Sequence, residues 1–141
     1  MRQSSLQPIA PHILLVDDDQ LIANALAHVL RAAGYHTDVA GDGLQALHKV
    51  AAADYDLILC DVRMPVMDGE AFYGELCAAR PGLARRIVFC TADMDNPQTR
   101  HFVLTSGAPY IEKPFRMRAV LQLLSGVLSG EQLAIQPVPS M

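Results

Sequence analysis

The chain has 141 residues, 51% of them hydrophobic and 18% charged, enough to fill the core of one domain, which excludes a disordered or purely solvating chain. Its formal net charge of −4 excludes nonspecific nucleic-acid binding, which needs a basic face. No apolar run approaches the roughly 20 residues that cross a bilayer, and the first residues lack the apolar core of a signal peptide, so a cytoplasmic location is expected.

Residues 1–11 and 130–141 are polar and proline-punctuated, and read as a disordered lead-in and tail around a folded unit at 12–129. Inside that unit an apolar run and a helix-like period alternate repeatedly. The first run, 12–16, ends in three aspartates and passes into a helix at 21–33, with Gly34 as its stop. A short strand at 35–40 precedes a second helix at 44–52. The run 55–60 (YDLILC) reads as a buried strand ending at Asp61, followed by a third helix at 70–80 that Pro81-Gly82 stops. A fourth strand at 87–90 (IVFC) ends at Thr91, a weaker helix follows at 97–105, and a brief strand at 110–111 leads to a last amphipathic helix at 117–128. This order predicts an α/β fold: one doubly wound, five-stranded parallel sheet with five helices on its two faces. In such sheets ligands bind beyond the carboxyl ends of the strands, where the strand order reverses. Asp17, Asp18, Asp61, Thr91 and Lys113 each follow an apolar run, so all should meet at that edge.

Carboxylates gathered at one edge repel each other, and a divalent cation holds them ionised. Oxygen-only ligands favour a hard ion such as Mg²⁺, with Mn²⁺ as a substitute. Helix capping alone would explain only one aspartate of the three, and Asp19 is assigned to it. Asp61, at a strand end beside such an ion, can act as a nucleophile toward phosphorus and form an acyl phosphate. The transferring oxygens then need lysine and hydroxyl donors, which Lys113 and Thr91 supply. Lysine is scarce in this chain, occurring only as Lys49 and Lys113. The cysteines Cys60, Cys77 and Cys90 lack CxxC spacing, so neither zinc nor a disulfide framework is expected; Cys60 and Cys90 read as buried apolar residues.

The succession Val16-Asp17-Asp18, then Asp61 opening D-x-x-M-P-x-M-D-G, then Thr91-Ala92, then Lys113-Pro114-Phe115 resembles the receiver domain of two-component response regulators. The resemblance implies a flavodoxin-like (βα)₅ architecture over most of the chain. It makes Asp61 the phosphoacceptor, with Asp17, Asp18 and the backbone carbonyl of Arg63 completing the Mg²⁺ site. Lys113 would contact the phosphoryl group, the Lys113–Pro114 bond would be cis, and Thr91 would close onto a phosphoryl oxygen. Tyr110 matches the aromatic switch position that turns inward on activation. The phosphodonor would be a sensor histidine kinase or a histidine phosphotransfer domain. Output would pass to a downstream protein through the face of the fourth helix, fifth strand and fifth helix, the chain being a monomer or a weak homodimer.

Two departures carry information. The stretch from Gly107 to Lys113 is six steps where many receivers have seven, and Pro109 stiffens it; this compact form, with residues 87–91 upstream and 112–115 downstream, resembles receivers at the C-terminal end of hybrid sensor kinases. Arg63 and Asp93 each lie two residues beyond a site residue, where opposite charges could pair and slow self-dephosphorylation. Two other readings stand beside the receiver. Asp17-x-Asp19 fits the D-x-D of haloacid-dehalogenase-like phosphatases, although Leu21 is out of pattern and no late acidic pair follows Lys113. A pseudo-receiver that only binds partners is the other, although all three acidic residues are present. With no recognisable output domain in the sequence, the expected role is a phosphoacceptor signalling domain, not a turnover enzyme.

Overall fold

The computed structural model describes residues 10–130. Its elements run β1 (His12–Val16), α1 (Gln20–Ala32), β2 (His36–Ala40), α2 (Gly43–Ala52), β3 (Leu57–Asp61), α3 (Gly69–Ala79), α4 (Pro81–Ala84), β4 (Ile87–Thr91), α5 (Pro97–Ser106), β5 (Tyr110–Glu112) and α6 (Met117–Leu128). The lead-in before residue 10 and the tail after residue 130 lie outside the described residues. Among the described residues no helix is long and apolar enough to cross a membrane.

The strands form one sheet in the order β2-β1-β3-β4-β5, and every pairing is parallel. The central strands β3 and β4 are buried along their whole length, which is why they read as unbroken apolar runs. The strand period of two then sorts their side chains to two cores. Leu14, Ile58, Cys60 and Phe89 pack with α2, α3 and α5 residues on one face. Ile13, Leu59, Val88 and Cys90 pack with α1 and α6 on the other. The chain runs outward from β1 to β2 and back across to β3, so the strand order reverses between β1 and β3. Asp17 and Asp61 stand at the carboxyl ends of those two strands.

The five expected strands are present, but the described residues form six helices, not five. Pro81 does not merely stop a helix; it opens the short α4 at its first turn, where proline's missing N–H costs nothing and its φ suits the helix. The fourth and fifth expected helices are therefore α5 and α6. The strands β3 and β4 also run one residue further than the apolar runs, to include Asp61 and Thr91. Asp61 pairs in register with Cys90, and Thr91 with Glu112. Tyr55 precedes β3, its hydroxyl donating to Asp38 Oδ2 at 2.7 Å, while His12 Nε2 lies 2.9 Å from the same oxygen. That polar cluster lies at the opposite end of the sheet from Asp17 and Asp61.

Val66, in the loop after β3, has φ +69° and is 78% exposed. The Met67 amide donates to the Pro65 carbonyl at 2.8 Å, closing a γ-turn with Val66 at its centre. A β-branched residue is strained there, whereas glycine is not. Val66→Gly is expected to stabilise the protein by about 1 kcal/mol, the relieved strain exceeding the added chain entropy. Urea denaturation of the pair would check the direction; a loss of stability would contradict it.

Candidate functional site

The sheet's carboxyl edge brings Asp17, Asp18 and Asp61 together, one carboxylate oxygen from each lying within 4.8 Å of the others. Asp17 and Asp61 are 5% and 8% exposed, while Asp18 faces solvent. Lys113, in the loop after β5, reaches between the two buried carboxylates. Its ammonium donates to Asp17 Oδ2 at 2.9 Å and to Asp61 Oδ2 at 3.1 Å. The backbone holds this arrangement in place: the Asp17 amide donates to Ala40 O at 3.0 Å and the Lys113 amide to Thr91 O at 2.8 Å. The Lys113–Pro114 peptide is cis.

Asp19 is outside this constellation. Its carboxylate accepts from the amides of Leu21 and Ile22 and caps α1, which removes the second aspartate that a D-x-D phosphatase would use.

Burial pushes the Asp61 carboxyl above its ordinary range; Lys113 opposes that rise and the neighbouring Asp17 charge adds to it. Burial alone would lower the Lys113 ammonium, but its bond to Asp17 and the charge of Asp61 outweigh it and hold it above its usual value. The thiols beside the site stay protonated. Burial pushes Cys60 up, its S–H donating to the Asp61 carbonyl, and pushes Cys90 up to about 12. A donor set of carboxylate oxygens, with no imidazole or thiolate among them, fits a hard divalent cation.

The loop after β3 is drawn close by Gly69, whose amide donates to Val62 O at 2.8 Å. Thr91 is fully buried, and its hydroxyl accepts from the Asp93 amide at 3.0 Å. Arg63 Nε lies 3.6 Å from Asp93 Oδ2, so the two charges do meet beside the site. Between them stands Thr99 of α5, which sequence reasoning missed. Its hydroxyl donates to Asp93 Oδ2 at 3.1 Å and accepts from Arg63 Nη1 at 3.3 Å. The sequence offers only the cap before it: Asn96 Oδ1 accepts from the Gln98 and Thr99 amides. Tyr110 is 4% exposed and belongs to the core formed by α2, α3 and α5, so its ring is inward in this structure. Leu21, Ile22, Pro114, Phe115 and Met117 line an apolar groove of about 580 Å³ that opens beside Lys113.

The family model for the response regulator receiver domain matches residues 13–125. The chain belongs to the receiver domain family. It is 37% identical over 127 residues to the transcriptional regulatory protein ZraR of Klebsiella oxytoca, covering 89% of this chain and 28% of that protein. To the chemotaxis protein CheY of Halobacterium salinarum it is 30% identical over 122 residues, covering 86% of this chain and all of CheY. This receiver thus spans little more than a quarter of the regulator and the whole of the single-domain relative. Among solved structures, the receiver domain of the sensor histidine kinase PA1611 from Pseudomonas aeruginosa superposes with a TM-score of 0.77. The two are 31% identical, covering 86% of this chain and 99% of that one. That structure has a magnesium ion coordinated in its active-site cleft. The receiver match and the five-stranded parallel sheet bear out the expected family and architecture.

Proposed function

We propose that Asp61 accepts a phosphoryl group from a phosphohistidine of a sensor histidine kinase or a histidine phosphotransfer domain. The observation that carries this is the Lys113 ammonium held within hydrogen-bond distance of both Asp61 and Asp17. In the transfer an Asp61 oxygen bonds to phosphorus, the phosphorus–nitrogen bond breaks, and its electron pair stays on the donor imidazole. Lys113 donates to a phosphoryl oxygen as charge develops, and the Thr91 hydroxyl, which accepts from the Asp93 amide here, turns to donate to a phosphoryl oxygen as well. Asp17, Asp18, Asp61 and the Arg63 carbonyl are the groups that would hold Mg²⁺, which when bound neutralises phosphoryl charge. The receiver assists only its own phosphorylation and dephosphorylation, in the cytoplasm, as a domain bounded by residues 12 and 129. Its output passes through the face formed by α5, β5 and α6, in a monomer or weak homodimer, and its six-step loop before Lys113 suits the C-terminal receiver of a hybrid kinase. Tyr110 holds its ring in the space beneath that face. Acetyl phosphate with Mg²⁺, read by intact mass, tests the proposal: a single phosphoryl adduct supports it, and a phosphate found on Asp17 would favour phosphatase chemistry instead.

Metal binding is separable from transfer. Saturating Mg²⁺ is expected to raise the melting temperature, about 2.7 kcal/mol of stabilisation at a hundred times the dissociation constant. Asp18→Asn, at an exposed position, should abolish that rise without unfolding the protein; equal rises in both proteins would remove Asp18 from the metal site. Arg63 and Asp93 are expected to slow loss of the phosphoryl group by flanking the approach of water, whether or not they stay paired once Asp61 is modified. Alanine at either position should shorten the acyl-phosphate lifetime by about two- to fivefold, the scale of one exposed charge contact. Unchanged lifetimes would discard that role.

A further inference from the structure

The helix α5 is weakly anchored by apolar contacts. Of its ten residues only Thr99 and Val103 are buried, and Leu104 is 48% exposed. One of its two buried anchors is therefore polar, and its hydroxyl is engaged on both sides. Thr99 donates to Asp93 Oδ2 and accepts from Arg63 Nη1. Asp93 in turn gives its amide to the Thr91 hydroxyl. Four residues from the β3–α3 loop, the end of β4, the β4–α5 loop and the first turn of α5 thus form one continuous polar chain. It begins at Thr91 on the strand adjacent to Asp61, passes through Thr99 in α5 and ends at Arg63 in the β3–α3 loop.

The helix does not need this chain in order to form. Asn96 caps it, Pro97 occupies its first turn, and Gly107 closes it with φ +75°. The polar chain sets where α5 sits, not whether it exists.

We propose that Arg63, Asp93 and Thr99 form a latch that holds the first turn of α5 against the β3–α3 loop in the unmodified protein, and that a phosphoryl group on Asp61 opens it. This rests on Asp61 being the phosphoacceptor. The Arg63 amide lies 3.4 Å from Asp61 Oδ1, so its side chain is tethered beside any group added there. A phosphoryl group brings a charge of about −1.5 to −2 and three acceptor oxygens. For a guanidinium it is a better partner than a neutral hydroxyl and one carboxylate, because it can be gripped bidentately. Arg63 and Asp93 are 54% and 40% exposed in their side chains, which keeps their mutual attraction weak enough to exchange. When Arg63 turns to the phosphoryl group, Thr99 loses a donor. When Thr91 turns to it, Asp93 loses the acceptor of its amide, and α5 is left on Val103 and Phe102 to repack. The phosphorylated state has the stronger partner for Arg63, and that difference drives the shift.

Amide hydrogen exchange across residues 97–106 of the full chain tests the latch. In the unmodified protein, Thr99→Val should exchange about fivefold faster in the first turn of α5 than wild type, as expected for one lost hydrogen bond. Mg²⁺ with beryllofluoride, a phosphoryl mimic, should accelerate the same amides in wild type and add little in Thr99→Val. Thr99→Ser, which keeps the hydroxyl and loses the methyl, should behave as wild type; a purely space-filling role would instead leave the isosteric Thr99→Val like wild type and make Thr99→Ser the faster exchanger. Arg63→Ala opens the latch from the surface without touching the core and should also speed exchange. Thr105→Val is the control, because that hydroxyl bonds only back to the His101 and Phe102 carbonyls of its own helix. The latch is overturned if unmodified Thr99→Val and Arg63→Ala both protect α5 as wild type does. It is also overturned if wild-type α5 is unchanged after acetyl phosphate with Mg²⁺ has phosphorylated the protein completely, as read by intact mass. Absence of any phosphoryl adduct counts against Asp61 as acceptor, while the unmodified proteins still decide the latch.

Discussion

Replacing Asp61 with asparagine is expected to abolish the phosphoryl adduct and at the same time make the protein more stable. The chemical loss is complete because an amide oxygen is a far weaker nucleophile toward phosphorus than a carboxylate. The gain in stability follows from where the carboxylate sits. Its side chain is 10% exposed, and burial raises its pKa, with Lys113 opposing and Asp17 reinforcing the rise. A carboxyl whose folded pKa lies above its unfolded value binds its proton more tightly when folded. The ionised form therefore destabilises the fold above the folded pKa, and that penalty disappears as pH falls below the unfolded value. At neutral pH the wild type carries the penalty and Asp61→Asn does not. Lys113 keeps Asp17 as a partner at 2.9 Å, so the substitution leaves no buried ammonium unpaired. The expected gain is about 1 kcal/mol, or roughly 3–5 °C in Tm for a domain of this size. Melts at pH 7 and near pH 3 should show the advantage shrinking with acid. A variant less stable than wild type at pH 7 would mean that the Asp61–Lys113 pair outweighs the cost of burial.

Gly69→Ala should act in the opposite direction on stability. A Cβ at Gly69 would stand 2.4 Å from the Asp61 carbonyl oxygen and 2.9 Å from the Val62 Cα. Both are backbone atoms, so no side chain can rotate away; either the start of α3 or the end of β3 must move. The expected cost is about 3 kcal/mol, at the upper end of overpacking penalties. Because the end of β3 carries Asp61, the rate of phosphoryl acceptance should fall with it. Chemical denaturation and the rate of adduct formation would be read together. Gly74→Ala, inside α3 with nothing within 4 Å of the added carbon, is the matched control and should be neutral or stabilising by about 0.5–1 kcal/mol. Equal behaviour of the two glycines would refute the close approach.

Much of this was legible because the sheet's pattern and the site's chemistry share one cause. The apolar runs of β1, β3 and β4 are buried on both sides and must end where solvent begins, so a polar residue following each run falls on the sheet's carboxyl edge. Asp17, Asp61 and Thr91 were located this way. The strand ends were less legible. Asp61 and Thr91 are polar, yet they continue their strands, since the backbone ladder goes on pairing after the apolar side chains stop. Proline misled at residue 81 because the same missing N–H that breaks a helix interior suits a helix start.

Sequence alone determined the parallel α/β architecture, the gathering of acidic residues whose oxygens suit a hard cation, and the candidate roles of Asp61 and Lys113, because these follow from residue type and from period along the chain. The assignment of Asp19 to the cap of α1 was also legible in the sequence and holds, whereas only the tertiary structure decided that Tyr110 lies inward and that Thr99 stands between Arg63 and Asp93. Those facts depend on which way a side chain turns once distant segments pack. Arg63 and Thr99 are 36 residues apart, and no local period connects them.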